Sequence, residues 1–315
     1  MYKVSFLIPV YNAGLFIGNC LDHILKSDLG QEEFQIIAWD DGSTDNSLEI
    51  LKEYAAKNPN IVIKHAANRG VAAVRKDLFS LAQGEYIWQC DADDYIETGN
   101  IKKVVDYAIE HKVDFCSFDY YSFDDSGNKR KQSLKFRDQI FTSFLWNRLF
   151  RTDFLREHNI TFKGDLYTGD DYIFNCLVRF YARKNKHLNL YGYNYNYNPN
   201  SLTRDKSKIV KDIRSMMHCI DYLIEEFGKC DSSKDRKYWK KEIFMNFSVV
   251  AWMSYSLEIS DGNQIFEELH SKAIRFFGAN SFYSTCFARN KYFNKAFLFY
   301  YMLCAKFNRL YIKLR

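Results

Sequence analysis

Short apolar runs alternate with helix-like stretches through the first hundred or so residues of this chain. The apolar runs occupy residues 4–8, 34–39, 61–63 and 85–90. The stretches between them carry apolar residues at helical spacing, for example Leu48, Leu51, Tyr54 and Ala55. This βαβαβαβ pattern predicts an α/β protein with a Rossmann-like, mostly parallel sheet flanked by helices.

Each apolar run leads into a polar cluster. The clusters are Pro9-Val10-Tyr11-Asn12, Asp40–Asp45, Asn68-Arg69-Gly70 and Asp91-Ala92-Asp93-Asp94. The carboxyl ends of parallel strands share one edge of a sheet, so we expect the four clusters to line one cleft there. This cleft is rich in carboxylates, and binding of a nucleotide phosphate in it requires a metal ion or other cations.

The pattern changes beyond residue 112. It predicts a strand over 113–123, a turn and solvated hairpin over 124–137, and then a helix, a loop around 164–169, a second helix and an aromatic strand over 191–197. Long helical patterns dominate from residue 205, including one from Ile209 to Phe227. We therefore divide the chain into segments 1–112, 113–204 and 205–315, the last being a helical C-terminal extension.

Composition narrows the setting of the protein. The 315 residues are 47% apolar and 17% aromatic, which is ample for a packed core. The eight cysteines are scattered without a Cys-x-x-Cys pair, which favours reduced thiols in a cytoplasmic protein over a disulfide framework. The N-terminus begins directly on the first strand pattern, so we expect no secretory signal peptide.

Charge is concentrated at the C-terminal end. No Asp or Glu follows Glu268, whereas nine Lys or Arg residues do, and they flank the apolar segment 296–305. Ten apolar residues are too few to span a bilayer, but such a helix can lie on an anionic membrane surface, such as the inner face of the plasma membrane. The alternative is a core-facing helix with a solvated basic side. Nucleic acid is not an expected partner, because no nucleic-acid-binding motif accompanies the basic residues.

Asp91 and Asp93 stand two residues apart on one loop. Both carboxylates can aim at one divalent cation, and hard oxygen ligands suit Mg²⁺ or Mn²⁺. Such an ion completes its shell with substrate phosphate oxygens, which fits a nucleotide diphosphate. The alternative is a solvated acidic turn.

Other polar residues of the clusters suit a nucleotide. Asp41 can accept hydrogen bonds from a base or a ribose hydroxyl, although it can instead cap the next helix, a role that Asp45 fits better. Tyr11 can stack on a base. Asn68 and Arg75 can reach the nucleotide side, with a surface salt bridge as the alternative for Arg75.

A second acidic pair, Asp170-Asp171, follows Gly169 and opens an apolar stretch. One interpretation is a helix N-cap with favourable dipole charge. The other is a general base at the acceptor end of the cleft, with the second carboxylate hydrogen-bonded to the pocket. The residues alone do not decide between them.

Taken together, these motifs resemble the inverting family-2 glycosyltransferases with the GT-A fold, of the bacterial surface-polysaccharide type. The resemblance covers about residues 2–204. It is carried by the segments Val4–Asn12, Asp40–Ser47, Asn68–Arg75, Gly84–Asp94, Trp146–Phe150 and Gly169–Asp171. The sequence departs from the family pattern at Lys76, where Asn is usual, and at Asp170, where Glu is usual.

The resemblance implies a metal-dependent transfer of a sugar from a UDP-sugar to a hydroxyl of a saccharide or lipid-linked saccharide, with inversion. It implies that residues 1–112 form the nucleotide-sugar-binding half and residues 113–204 the acceptor-binding half. The residues expected to contact the nucleotide are Pro9, Tyr11, Asn12, Asp41, Asn68, Arg75 and Asp91. The remaining expected roles are metal binding by Asp93 with Asp91, general base catalysis by Asp171, and acceptor-side contacts by Asp170 and Trp146.

Two rival functions stay open. A nucleotidyltransferase on a related sheet needs a Gly-rich, Lys- or Arg-containing phosphate loop near the first strand, and residues 9–14 do not supply one. A catalytically impaired nucleotide-sugar-binding protein on the same fold would need no intact acidic residues, whereas Asp91, Asp93 and Asp171 are all present.

Overall fold

The computed structural model of the chain describes residues 1–133, 144–198, 206–254 and 259–278. The chain divides into two compact units, residues 1–204 and residues 205–315. This division falls where the sequence pattern becomes helical. The roles assigned to the three sequence segments stay predictions.

The first half of unit 1 is the predicted parallel sheet. Its strands run side by side in the order β3-β2-β1-β4, and every neighbouring pair is parallel. The strands are β1 (Val4–Val10), β2 (Phe34–Asp40), β3 (Ile61–His65) and β4 (Tyr86–Gln89), and the helices that connect them are α1 (Ile17–Leu25), α2 (Ser47–Lys57) and α3 (Val71–Leu81).

Strands β1, β2 and β4 are nearly continuous apolar runs that are buried along almost their whole length, as is typical of parallel strands. Phe6 on β1 and Trp88 on β4 are fully buried, with their ring centroids 5.8 Å apart. Trp88 also donates a 2.8 Å hydrogen bond from its indole nitrogen to the backbone oxygen of Trp146. Burial of such large aromatic side chains locks β4 against the second half of the sheet.

The second half of unit 1 is a mixed extension of the same sheet. The strand order continues from β4 through β8, β6 and β9 to β5, and β7 pairs with the C-terminal part of β6. Strand β6 runs antiparallel to β7 and β8 but parallel to β9. The elements are β5 (Tyr95–Ile96), α4 (Ile101–His111), β6 (Phe115–Phe123), β7 (Lys129–Gln132), β8 (Arg148–Arg151), α5 (Thr152–Glu157), α6 (Asp170–Tyr181) and β9 (Asn185–Tyr195).

The local pattern was less informative in this half. The predicted hairpin is confirmed for β6 and β7, while its last residues lie outside the described part of the chain. The segment after Phe144, predicted to begin with a helix, instead contains β8 before the short helix α5. Strand β9 begins at Asn185, six residues earlier than predicted, because pairing with β6 extends it.

Unit 2 is helical over its described residues, as predicted. It contains α7 (Ile209–Gly228), α8 (Ser233–Ser254) and α9 (Ile259–Phe277). Among the described residues, no helix is both long enough and apolar enough to cross a membrane. The apolar segment 296–305 and the basic residues from Arg289 onward lie outside the described residues.

Candidate active site

The predicted polar clusters meet at the carboxyl edge of the parallel strands. Val10 on β1 lies beside Asp40 on β2, and Leu7 lies beside Gln89 on β4. Tyr11, Asp41 and Asp91 follow these neighbouring strand ends closely in sequence. The sheet therefore brings the predicted nucleotide and metal residues to one edge, as its topology requires.

The loop after β1 is tied to the loop after β2. Asn12 has a φ of +49°, an uncommon backbone conformation for a residue other than glycine. Its side-chain oxygen accepts a 2.8 Å hydrogen bond from the backbone N–H of Thr44, and its own N–H donates to Ser43 Oγ at 2.9 Å. Asn12 is thus occupied in shaping the edge, whereas Tyr11 is 51% exposed and presents a free aromatic surface there. Pro9 is partly exposed at the end of β1.

Asp41 organises the neighbouring turn. Its carboxylate is 4% exposed and accepts hydrogen bonds of 2.9 Å from the backbone N–H groups of Arg69 and Gly70. Gly42 has a φ of +74°, and a Cβ on it would lie 2.8 Å from the backbone nitrogen of Asn68. The loop after β2 and the loop after β3 therefore pack in backbone contact. Asn68 itself is exposed. A contact of Asp41 or Asn68 with a base stays a prediction.

The helix start after this loop differs from the prediction for Asp45. The N-cap position of α2 is Asn46, without a capping side-chain bond. Asp45 instead accepts hydrogen bonds from the backbone N–H of Ser47 at 3.0 Å and from the N–H of Gly14 at 2.8 Å. Its carboxylate joins two loops as well as helix α2.

The acidic loop concentrates negative charge. Burial raises the pKa of Asp91; the guanidinium of Arg75 opposes the shift, and the charge of Asp93 adds to it. Asp94 is 2% exposed, and its pKa is raised well above the ordinary range by burial first and then by Asp91 and Asp93. The loop therefore holds three acidic groups that repel one another, and a nearby cation would relieve that repulsion.

Asp91 and Asp93 fit the predicted metal ligands in chemistry. Both are partly exposed acidic residues with hard oxygen donors. Within the described residues, no group of three or more His, Cys, Asp or Glu side chains is arranged to hold a metal ion by itself. A metal site at Asp91 and Asp93 stays a prediction.

Arg75 links the acidic loop to the second acidic pair. Its Nη2 lies 3.3 Å from Asp91 Oδ1, and its Nη1 lies 3.0 Å from Asp170 Oδ2. The Arg75 side chain is 13% exposed, so these are sheltered ion pairs and not the surface salt bridge considered from the sequence. One guanidinium on α3 thereby joins the loop after β4 to the first residue of α6.

Asp171 lies beside this pair, in the first turn of α6. Gly169 precedes the helix with a φ of +87°, a conformation that glycine adopts without steric cost. Asp171 is partly exposed, whereas Asp170 is 2% exposed and bonded to Arg75. Of the two carboxylates, Asp171 is therefore the more accessible to a second substrate.

The sequence did not single out the end of β9, which holds the acidic loop in place. The Tyr193 hydroxyl accepts a 3.1 Å hydrogen bond from the backbone N–H of Asp91. The N–H of Asn196 donates to Asp94 Oδ1, and the Asn198 amide donates to Asp93 Oδ2, both at 2.7 Å. The only local signal was the alternation of tyrosine and asparagine in this strand.

Trp146 packs against the C-terminal end of β9. It is 5% exposed, and its ring stacks on Tyr193 with centroids 4.7 Å apart and on Tyr195 at 5.5 Å. Trp146 therefore positions β9 by packing. A direct contact between Trp146 and an acceptor stays a prediction.

Comparison with known proteins identifies a related glycosyltransferase. A poly(ribitol-phosphate) β-glucosyltransferase of Bacillus spizizenii is 30% identical over 191 residues, which are 58% of this chain and 30% of that protein. This chain thus spans about a third of that relative's length.

Two solved structures share the fold. The S. aureus TarS fragment 1–349 in complex with UDP-GlcNAc superposes with a TM-score of 0.71 at 19% identity, covering 88% of this chain and 82% of that one. The mannosyltransferase PcManGT of Pyrobaculum calidifontis, in complex with GDP-Man and Mn²⁺, gives a TM-score of 0.56 at 14% identity, covering 99% of this chain and 88% of that one.

The family profile of Glycosyl transferase family 2 matches residues 5–186. The match includes all of β1 except its first residue, strands β2 to β4, the acidic loop and the first turn of α6. These findings confirm the resemblance and the fold class predicted from the sequence motifs. The chain belongs to glycosyl transferase family 2 and has the GT-A fold.

Proposed function

We propose that this protein transfers a sugar from a nucleotide-diphosphate donor, a UDP-sugar, to a hydroxyl of a saccharide or lipid-linked saccharide. The arrangement that carries the proposal is the Arg75 bridge, which brings Asp91 of the acidic loop and Asp170 of α6 to one guanidinium. A leaving diphosphate near the acidic loop and an acceptor hydroxyl near Asp171 would then be neighbours. TarS, which shares the fold, has been crystallised with UDP-GlcNAc.

The proposed reaction is a single displacement with inversion. The acceptor oxygen attacks the anomeric carbon while Asp171 takes the hydroxyl proton, and the bond from that carbon to the diphosphate oxygen breaks. UDP leaves with the bonding electron pair. A divalent cation, Mn²⁺ or Mg²⁺, held at Asp91 and Asp93 would offset the charge of the leaving diphosphate. A carboxylate base suffices because the acceptor needs only partial activation in an oxocarbenium-like transition state.

The nucleotide would lie against the loops after β1 and β2. Tyr11 offers the exposed ring for stacking, Pro9 and Asn12 shape the strand end, and Asp41 and Asn68 belong to the packed pair of loops. Arg75 would act on the nucleotide side mainly by holding Asp91 in place through their ion pair.

A thermal-shift panel of nucleotide sugars with and without Mn²⁺ tests the donor class. We expect UDP-sugars to raise the melting temperature, and to do so more strongly with the metal. If no nucleotide sugar changed the melting temperature, either with or without Mn²⁺, the proposal would be contradicted. The anomeric configuration of the product, read by proton NMR from a donor of known configuration, decides between inversion and retention.

We also propose reversible attachment to an anionic membrane surface through the basic C-terminal segment. The support is the sequence alone: no acidic residue follows Glu268, and basic residues flank the apolar segment 296–305. Attachment there would bring the enzyme close to lipid-linked acceptors.

A further inference from the structure

The side chain of Asn198 is bonded to one of the two predicted metal ligands. Its Nδ2 donates a 2.7 Å hydrogen bond to Asp93 Oδ2, although the two residues are 105 positions apart. Asn198 lies just after β9, the strand whose Tyr193 hydroxyl accepts a bond from the backbone N–H of Asp91. The end of β9 and the residues after it therefore contact both predicted metal ligands.

The direction of this hydrogen bond follows from the chemistry of its two groups. A carboxylate accepts hydrogen bonds and has none to donate, so the atom that Asn198 turns toward Asp93 is its amide nitrogen. An amide nitrogen is not a ligand for a hard cation such as Mg²⁺ or Mn²⁺, which takes oxygen. Asn198 therefore contacts the acidic loop as a donor that fixes Asp93, and not as a metal ligand.

Each of the two predicted ligands has one carboxylate oxygen held and one left over. Arg75 Nη2 lies 3.3 Å from Asp91 Oδ1, and Asn198 holds Asp93 Oδ2. Among the residues that the structure describes, Asp91 Oδ2 and Asp93 Oδ1 have no hydrogen-bond or ion-pair partner. A cation that takes one oxygen from each carboxylate would thus meet two side chains that are already oriented, which reduces the entropy lost on binding.

We propose that Asn198 is a positioning residue for the metal: it holds Asp93 Oδ2 and so presents Asp93 Oδ1 to a divalent cation that binds together with the nucleotide diphosphate. Without the bond, the Asp93 side chain regains rotamer freedom, and repulsion between the charges of Asp91 and Asp93 favours conformations that separate them. Loss of a hydrogen bond that orients a ligating carboxylate typically weakens metal binding roughly 10- to 100-fold.

The alternative is a purely structural bond that ties the segment after β9 to the acidic loop. The two roles differ in their dependence on the metal. Loss of a structural bond would weaken nucleotide binding equally with and without a cation, whereas loss of a positioning bond weakens it only when the cation is present. The inference rests on the proposed function, because it needs the metal site at Asp91 and Asp93.

The test measures the affinity for UDP by isothermal titration calorimetry, once with excess Mn²⁺ and once with a chelator. The ratio of the two dissociation constants, which we call the metal gain, reports how far the cation strengthens UDP binding. Asn198→Ala should lower the metal gain roughly tenfold or remove it altogether, because Asp93 is no longer held. Its affinity for UDP in the chelator should equal that of the wild type.

Asn196→Ala is the matched control. It also removes an amide side chain close to the end of β9, but Asn196 contacts the acidic loop through its backbone N–H, which donates to Asp94 Oδ1 at 2.7 Å and remains in the variant. Its metal gain should stay within about twofold of the wild-type value. Asp93→Asn, which removes a ligand, should lose most of the metal gain. Thermal unfolding of every variant establishes that it is folded.

Three results would overturn the inference and leave the metal site standing. One is a wild-type metal gain in Asn198→Ala beside a loss in Asp93→Asn. Another is an equal loss in Asn196→Ala and Asn198→Ala, which would indicate general loosening after β9. The third is that Asn198→Ala binds UDP more weakly by the same factor with and without Mn²⁺. A wild type without any metal gain would contradict the proposed metal site itself, and the role of Asn198 with it.

Discussion

Arg75 Nη1 lies 3.0 Å from Asp170 Oδ2, and this ion pair joins helix α3 to the first residue of helix α6. Both side chains are sheltered, at 13% and 3% exposed. The other terminal nitrogen of Arg75 bonds Asp91, so one guanidinium joins the acidic loop to the first turn of α6, where Asp171 lies. Asp170 stands where the family usually has Glu, and its shorter side chain still reaches Arg75.

The first prediction concerns this bridge. Arg75→Met keeps the length and apolar part of the side chain but leaves two sheltered carboxylates without their partner. We expect a loss of about 3 kcal/mol in the free energy of unfolding, measured by urea denaturation, together with a large loss of transfer. The control is Lys26→Met, which breaks the exposed Lys26–Asp22 pair and should cost less than about 1 kcal/mol. Equal losses of unfolding free energy in the two variants would show that the Arg75 bridge stabilises the protein no more than an exposed ion pair does.

The second prediction separates the two carboxylates of α6. Asp171→Asn keeps the size of the side chain but cannot take a proton, so transfer should fall about a hundredfold while donor binding and stability stay near wild type. Asp170→Asn removes the charge that faces Arg75, so this variant, unlike Asp171→Asn, should also lower the free energy of unfolding. Steady-state kinetics and urea denaturation of both variants are the measurements. Full transfer by Asp171→Asn would remove Asp171 from the role of base.

The third prediction concerns pH and the second half of the sheet. Burial raises the pKa of Asp114, but hydrogen bonds from the N–H groups of Lys184 and Arg183 and from Arg151 outweigh it, so the pKa lies below its ordinary value of 3.8. A carboxyl with a lowered folded-state pKa stabilises the protein above the unfolded-state pKa. That contribution disappears as the pH falls from about 4 through the folded-state pKa.

Asp114→Asn should therefore lose about 1–2 kcal/mol of unfolding free energy at pH 7, and the difference from wild type should shrink toward pH 3. Urea denaturation at both pH values measures this. The same loss at pH 7 and pH 3 would mean that shape, and not charge, accounts for the effect of Asp114.

The fourth prediction concerns the C-terminal segment. Each exposed Lys or Arg near an anionic surface contributes about 1 kcal/mol, and salt weakens the effect. The full chain should sediment with anionic liposomes at low salt and be released at high salt, and deletion from Lys291 onward should abolish binding. A full chain that ignores anionic liposomes at low salt would favour the alternative of an internal packing helix.

The sequence predicted the parallel half of the fold well because its signals are local. Strands β1 to β4 are apolar runs, and the polar clusters follow them directly, so topology alone placed Asp41 and Asp91 at one edge. The sequence indicates the acidic pair Asp170-Asp171 as well, but no pattern in it places this pair beside Asp91. No local pattern shows that Arg75 joins the two.

The second half could not be predicted in the same way. Strand β8 is only four residues long, and it is defined by pairing with β4 and β6. The bond from the Asp91 N–H to the Tyr193 hydroxyl joins residues 102 positions apart, as does the bond from the Asn196 N–H to Asp94. Contacts of this kind depend on the folded register of β9, which the sequence pattern around Tyr193 does not contain.

The most direct test of the account is the rate of UDP release from UDP-sugars by the wild type and by Asp93→Asn, each with Mn²⁺ and with a chelator. Water can serve as acceptor, so the assay needs no knowledge of the natural one. The account predicts UDP release by the wild type with Mn²⁺, little release with the chelator, and little release by Asp93→Asn under either condition. UDP release that is equal in both proteins and insensitive to the chelator would contradict the metal site, and nucleotide-sugar binding without any release would indicate a catalytically impaired binding protein.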